Sequence, residues 1–316
     1  MLDKLINFWT RTPIALRTDR IIVVWFGVIV GGVAAFAIPV ILLFSYEMTS
    51  MTYVRFFYSF FFWWPIFAIL GSILLFHDFW FKLGGMIKKI FSGEKYSWRR
   101  PGAVFYGGFL GSLILIIILA VRYKLSILYA LDFVFTLIPF FHGISRLACL
   151  NFGCCYGKPC AASTPLKVQY RHPDSEPVRH GIPEGQSLHP VQLYEMACCI
   201  FIGCFLFSLA GKLGEGKIFA VYLVSYGIAR FFLEFIRDNT HEKVLFGRIS
   251  IWQALSLCFI AGGIVLLFAL PGTKPVRWQN PQIDPDYSHI FLLAAWNACA
   301  LGLVFGIHFR KREEAL

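Results

Sequence analysis

Windows of roughly 20 apolar residues recur along the chain, and this constrains its fold most, because about 20 residues of helix cross a bilayer core. They run from Ile21 to Phe44, Phe56 to Phe79, Val104 to Val121, Leu125 to Phe141, Val191 to Leu209, Ile218 to Phe235, Ile251 to Leu270 and Ile290 to Phe309. Composition agrees, with 58% apolar and only 15% charged residues, where a soluble domain carries about a quarter charged. The expected fold is all-α, a polytopic membrane helix bundle of about seven to eight transmembrane helices. A loop-rich insert, about residues 151–188, separates the fourth and fifth spans. Residues 1–270 would form the main membrane domain, and 271–316 a Pro-rich linker, an additional helix and a basic tail.

Several details qualify this layout. The stretch from Met1 to Arg20 holds four basic residues but no small-residue cleavage site after the first apolar run, so the first span is expected to be retained. The fourth window is short, carries Asp132 and passes through Pro139 into polar sequence. It is expected to end within the membrane, against protein or a wet cavity. A net charge of +11 could suit nucleic acid, but the Lys and Arg lie between spans without a continuous stripe. No nucleic-acid partner is expected, and anionic lipid headgroups are. In an eight-span arrangement the N-terminal tail, the Phe81 to Arg100 loop, the insert, the Arg237 to Arg248 loop and Arg310-Lys-Arg312 share one side, cytoplasmic by their positive charge.

Four polar constellations interrupt the apolar sequence. In Tyr226-Gly-Ile-Ala-Arg230-Phe-Phe-Leu-Glu234-Phe-Ile-Arg237, two guanidiniums and a carboxylate at i, i+4 and i+7 would share one helical face. Intramembrane charges are costly and usually functional. Glu234 could pair with either neighbour and leave the other Arg for a phosphate oxygen; a purely structural ion cluster is the competing reading. At the end of the fourth window, His142 and Arg146 are i, i+4 neighbours if the helix continues. A base beside a cation suits activation of a nucleophile and stabilisation of a departing anion, and a capping His with a snorkelling Arg would look the same. His189-Pro-Val-Gln192-Leu-Tyr194-Glu195 opens the fifth span, with Gln192 and Glu195 on one face; a pair holding helices together is the alternative. Ser250-Ile-Trp-Gln253-Ala-Leu-Ser256 opens the seventh, where helix capping alone accounts for Ser250.

Taken in order, these stretches resemble the prolipoprotein diacylglyceryl transferase family. The likeness begins at Phe105-Tyr106-Gly-Gly-Phe-Leu-Gly111 and continues through Asp132-Phe, Leu137-Ile-Pro-Phe140, Arg146-Leu and the Gly157 region. It then takes in the His189 to Glu195 block, the Tyr226 to Arg237 block and Gln253-Ala-Leu-Ser256, roughly Ile21 to Leu270 in all. The resemblance implies transfer of the diacylglyceryl group of phosphatidylglycerol to the lipobox Cys thiol of a preprolipoprotein, releasing glycerol phosphate. It implies a multi-pass protein of the bacterial inner membrane, with its catalytic loop on the outer face, opposite to the charge count. No cofactor is implied. Arg146, Arg230 and Arg237 match the family's arginines and would clamp phosphate, with Glu195 and Glu234 orienting them or managing the proton. Asp132, Gln192, Tyr194, His189, Tyr226 and Gln253 would line the substrate site.

The chain departs from the family where the proton machinery is expected. Tyr106 stands where the family has a His, and a phenol with reference pKa near 10 is a weak base that can still donate or relay a proton. Cys149, Phe152 and Cys154 occupy the region of the family's Asn and Glu positions. His142 is the substitute base this leaves. The chain therefore resembles a divergent branch whose donor lipid or acceptor differs, or a non-catalytic lipid-binding protein on the same fold. A rival of another class draws on Cys154, Cys155 and Cys160 with His172, His180 and His189, for a metal or for thiol chemistry. Adjacent cysteines chelate poorly and no Cys-x-x-Cys occurs, so no metal is expected; a disulfide or inert buried thiols are the plainer readings.

Overall fold

The computed structural model describes residues 2–18, 21–48, 50–74, 105–238, 244–245, 249–270 and 284–309. The basic loop from Phe81 to Arg100, most of the Pro-rich linker, the Arg310-Lys-Arg312 tail and the Tyr106 side chain lie outside the described residues.

The order is α1 (Leu2–Trp9), β1 (Ile14–Arg17), β2 (Ile21–Val24), α2 (Trp25–Met48), α3 (Met51–Leu74), α4 (Phe105–Tyr123) and α5 (Ile127–Phe152). The insert carries β3 (Val168–Gln169), one helical turn α6 (Glu176–Arg179) and β4 (Ser187–Leu188). After it come α7 (Val191–Leu209), α8 (Lys217–Leu233), β5 (Val244–Leu245), β6 (Ile249–Ser250), α9 (Ile251–Ala269), α10 (Tyr287–Gly306) and β7 (Ile307–Phe309). Helices α2, α3, α5, α7, α9 and α10 are each long and apolar enough to cross a membrane, and Gly107–Tyr123 is a shorter apolar segment. The protein is a multi-pass helical membrane protein.

Small residues set the tightest contacts. In α4, a Cβ at Gly107 or Gly111 would overlap the backbone of Gly71 or Phe67 in α3, so this Gly-x-x-x-Gly pair lets the two helices touch through their main chains. Gly27 and Gly31 of α2 do the same against Gly306 and Ala298 of α10. Strands β1, β2 and β7 form an antiparallel three-stranded sheet that brings the strands before α2 beside the strand after α10.

The central helix is α5, whose most apolar window is 61% buried. Ser126 caps its start by accepting from Tyr129 N, and Gly153, left-handed at φ 88°, ends it. The expected break near Phe141 does not occur. Pro139 sits inside a continuous helix that carries His142 and Arg146 onward to Phe152. Asp132, charged and buried, has a structural partner: its carboxylate accepts the backbone N–H groups of Gly216 and Phe219 at 2.6 and 2.9 Å and so caps the start of α8. Fourteen residues separate it from Arg146, about 21 Å along the helix, which keeps Asp132 apart from the polar cluster below.

Beneath the C-terminal end of α5 the insert builds a second small core from Ile6, Leu150, Tyr156, Val168, Tyr170 and Leu188. Asn151 Nδ2 donates to the Trp9 and Thr12 carbonyls and Tyr170 Oη donates to the Leu150 carbonyl, fastening α1 and the insert to the helix end.

Candidate active site

Four helix ends converge at the insert: the last turns of α5 and α8 and the first turns of α7 and α9. They bring two guanidiniums and two carboxylates together at a depth where an isolated charge is untenable. Arg146, Glu195, Arg230 and Glu234 are all buried. Arg146 lies six residues before the end of α5, about 9 Å in from it.

The central contact is an ion pair across the α5 and α7 interface, Arg146 Nη2 to Glu195 Oε1 at 2.7 Å. Tyr226 Oη of α8 donates to the same oxygen at 2.9 Å. Arg146 Nη2 also donates to His142 Nε2 at 2.8 Å. Because a guanidinium can only donate, Nε2 is the acceptor nitrogen and Nδ1, 3.6 Å from Cys199 Sγ, carries the ring proton. The lone pair that a base would use is therefore already engaged, and a proton placed there would confront Arg146. His142 thus helps to hold Arg146 in place.

The second pair is Arg230 Nη1 with Glu234 Oε2 at 2.5 Å, while Glu234 Oε1 accepts from Ser250 Oγ at 2.9 Å. Arg230 and Glu195 also attract one another, so the two pairs form one charge-balanced group. Arg237 departs from the expected helical face. Helix α8 stops at Leu233, Glu234 is its C-cap, and a turn delivers Arg237 to a β-bridge with Gly157. The insert draws the chain out of the helix here: Lys158 N donates to the Ile236 carbonyl at 2.8 Å and Lys158 Nζ to the Phe235 carbonyl at 2.9 Å. Arg237 is left at the partly exposed margin of the group.

Other expected residues take supporting places. Gln192, fully buried, donates from Nε2 to the Cys154 carbonyl at 2.7 Å and pins the turn after α5. Gln253 completes a capping box with Ser250 at the start of α9, so its side chain is committed to the backbone. His189 and Tyr194 face each other, and the Tyr194 hydroxyl reaches the Leu166 carbonyl at 3.4 Å. Tyr106 lies in the first turn of α4. Spacing could not reveal Ser250 as a partner of Glu234, or Cys199 as a neighbour of His142, because each contact joins different helices.

The Cys/His set suggested by sequence is not gathered. His172 accepts from Asp174 N, His180 faces Tyr156, and His189 faces Tyr194, each in its own part of the insert. A different set is gathered: the sulfurs of Cys149, Cys154 and Cys155 lie within 4.8 Å of one another. Gly153 at φ 88° and Cys155 at φ 60° reverse the chain so that the two cysteines after the helix return to the one inside its last turn. Thiol hydrogen bonds from Cys149 and Cys154 hold the Cys155 sulfur well below the ordinary thiol range, against the effect of burial, and the Arg237 and Arg146 charges add to this. Arg146 Nη1 is 3.8 Å from Cys149 Sγ, so the thiol group abuts the ion-pair group directly.

Comparison with known proteins bears on the whole arrangement. A phosphatidylglycerol--prolipoprotein diacylglyceryl transferase 2 of Clostridium perfringens is 30% identical over 194 residues, covering 58% of this chain and 72% of the relative. Transferases of that name from Ehrlichia ruminantium and Nitrosomonas europaea are 26% identical over 272 residues, covering 81% of this chain and 95% of the relative, and 33% over 172, covering 53% and 57%. The match thus spans less than two thirds of some relatives, including 62% of one from Clostridium tetani. The sequence model described as prolipoprotein diacylglyceryl transferase matches residues 13–269, from β1 through the last turn of α9 and so across all four converging helix ends. With that span matched, this chain belongs to the prolipoprotein diacylglyceryl transferase family.

Proposed function

We propose that this protein transfers the diacylglyceryl group of phosphatidylglycerol to the cysteine thiol of a prolipoprotein acceptor in the bacterial cytoplasmic membrane. The observation that carries the proposal is the buried pairing of Arg146 with Glu195 and of Arg230 with Glu234 in the family's matched region. In the reaction the acceptor sulfur attacks the glycerol methylene carbon, a C–S bond forms, and the C–O bond to phosphate breaks with its electron pair leaving on glycerol phosphate. Two demands follow: the thiol must lose its proton, and the phosphate must be held as it gains charge.

The guanidiniums supply the second demand. Each is fixed by a carboxylate, which lowers the cost of keeping a cation at depth until an anion arrives. As phosphate charge grows, Arg146 and Arg230 strengthen their hold on it without reorganising, and Arg237 and Lys158 at the margin draw the headgroup inward. Glu195, which ties Arg146 and Tyr226 together, is a positioning residue. Tyr106 in the first turn of α4 would donate to the headgroup or relay the proton.

The test is transfer in nanodiscs containing phosphatidylglycerol, with a lipobox peptide carrying one Cys. Glycerol phosphate should be released in step with peptide lipidation, and Arg230→Ala should lower the rate at least about a hundredfold, as for loss of one transition-state donor. Intact protein that binds phosphatidylglycerol and releases nothing would replace this reading with that of a non-catalytic lipid-binding protein.

A further inference from the structure

The thiol group has no assigned part in the reaction so far. Three sulfurs from Cys149, Cys154 and Cys155 lie within 4.8 Å of one another. In a trigonal or tetrahedral zinc thiolate with bonds of about 2.3 Å, sulfurs stand roughly 4 Å apart, so the three can close on one ion by small rotations. The backbone already bears the cost of this arrangement, since Cys155 holds a left-handed conformation uncommon for a residue with a Cβ. Gln192 fixes the same turn from α7 through the Cys154 carbonyl. Two nearby cations, Arg146 and Arg237, offset the net negative charge of a divalent ion bound by three thiolates.

We propose that Cys149, Cys154 and Cys155 bind one zinc(II) ion through three thiolates, leaving a fourth coordination position for the acceptor cysteine. Soft thiolate ligands select zinc among abundant divalent ions, and three protein ligands with one open position is the pattern of reactive zinc sites. Cys149 is buried, and Cys154 and Cys155 are half-buried residues. On loading, each of the three sulfurs that still carries a proton releases it to water as three Zn–S bonds form. The acceptor thiol loses its proton in the same way on binding, because a coordinated thiol is deprotonated. Its sulfur then forms the C–S bond as glycerol phosphate leaves, and no oxidant or reductant enters. The acceptor's part in this rests on the transferase reading above; the metal site does not. The acceptor thiol would thereby lose its proton by a route that does not draw on the engaged Nε2 of His142.

The test uses the full chain in detergent, loaded with zinc(II), desalted and analysed for metal. About one zinc per chain is expected, falling at least tenfold in Cys149→Ser, Cys154→Ser and Cys155→Ser and unchanged in Cys204→Ser. Wild-type protein loaded with cobalt(II), which needs no variant to fold, should show thiolate charge-transfer absorption, increased by a lipobox peptide with Cys and not with Ser. Absence of bound metal and of charge-transfer absorption, with three titratable thiols or a disulfide in their place, overturns the site. If lipidation proceeds in that metal-free protein, the transferase reading survives alone. Metal binding without any response to the peptide thiol overturns the role of the fourth position. A response to the peptide thiol without lipidation upholds the inference and removes the transferase reading.

Discussion

Glu195 ties three helices together, through Arg146 at 2.7 Å and the Tyr226 hydroxyl at 2.9 Å, with His142 at 4.0 Å. Removing one member of such a buried pair leaves the other charge stranded, which costs about 3–5 kcal/mol, whereas removing both at similar volume is close to neutral. Glu195→Leu should therefore lower unfolding stability in detergent by about that amount, and Arg146→Met combined with Glu195→Leu should restore most of it. A double variant no more stable than the single one would mean that packing around Glu195, and not charge balance, dominates. Spacing made the Arg230 and Glu234 pair legible, since it is local to one helix turn. The Arg146 and Glu195 pair joins residues 49 apart on different helices, and no periodicity encodes it; only the order of motifs along the chain pointed there. Cys149 was passed over for a similar reason. The left-handed turn at residues 153–155 decides which thiols meet, and Cys160 goes instead to the β4 side of the insert, with its N–H on the Ser187 carbonyl.

Among the elements, the hydropathy windows placed the helices well because a membrane span is defined by length and composition, which sequence displays directly. They miss several helix ends by a few residues, and two differences bear on the site. Helix α5 runs eleven residues past Phe141 to Phe152, since the polar residues that seemed to end it face a partner helix and not lipid. Helix α8 stops at Leu233, close to the window's end at Phe235 but short of the helical position that spacing gave Arg237, because Lys158 of the insert takes the Ile236 and Phe235 carbonyls. The glycines at the start of α4 read as part of a reaction motif, yet Gly107 and Gly111 meet α3 at main-chain distance. Gly111→Ala should push the α3 and α4 pair apart and cost about 1–3 kcal/mol, as overpacking does. In α2, a Cβ at Gly32 meets nothing within 4 Å, so Gly32→Ala should be neutral or stabilise by up to about 1 kcal/mol through helix propensity. Equal effects from the two substitutions, measured by thermal unfolding in one detergent, would remove the packing account of Gly107 and Gly111.

Across the whole molecule, polarity is arranged inside out. The buried interior at the insert end holds Arg146, Glu195, Arg230 and Glu234, while the surface of the long helices carries large apolar side chains such as Phe201 in α7, 73% exposed, and Val265 in α9, 63% exposed. Water would penalise that surface and acyl chains would not, so lipid is the solvent it fits. Phe201 lies at the middle of α7, ten residues from Val191 and eight from Leu209, where a lipid-facing charge is most costly. An Asp at the centre of a spanning helix costs about 2.5–3.5 kcal/mol on insertion scales. Phe201→Asp should accordingly reduce the amount of protein recovered in membranes and lower its unfolding temperature. Phe201→Leu, apolar and free of any interior neighbour to misfit, should stay within about 0.5 kcal/mol of the parent. Were Phe201→Asp tolerated as well as Phe201→Leu, the face would border water or a partner's polar surface. The charge cluster would then lie beside an aqueous path through the bundle, and the depth that obliges each Arg to pair with a Glu would have to be sought in protein packing alone.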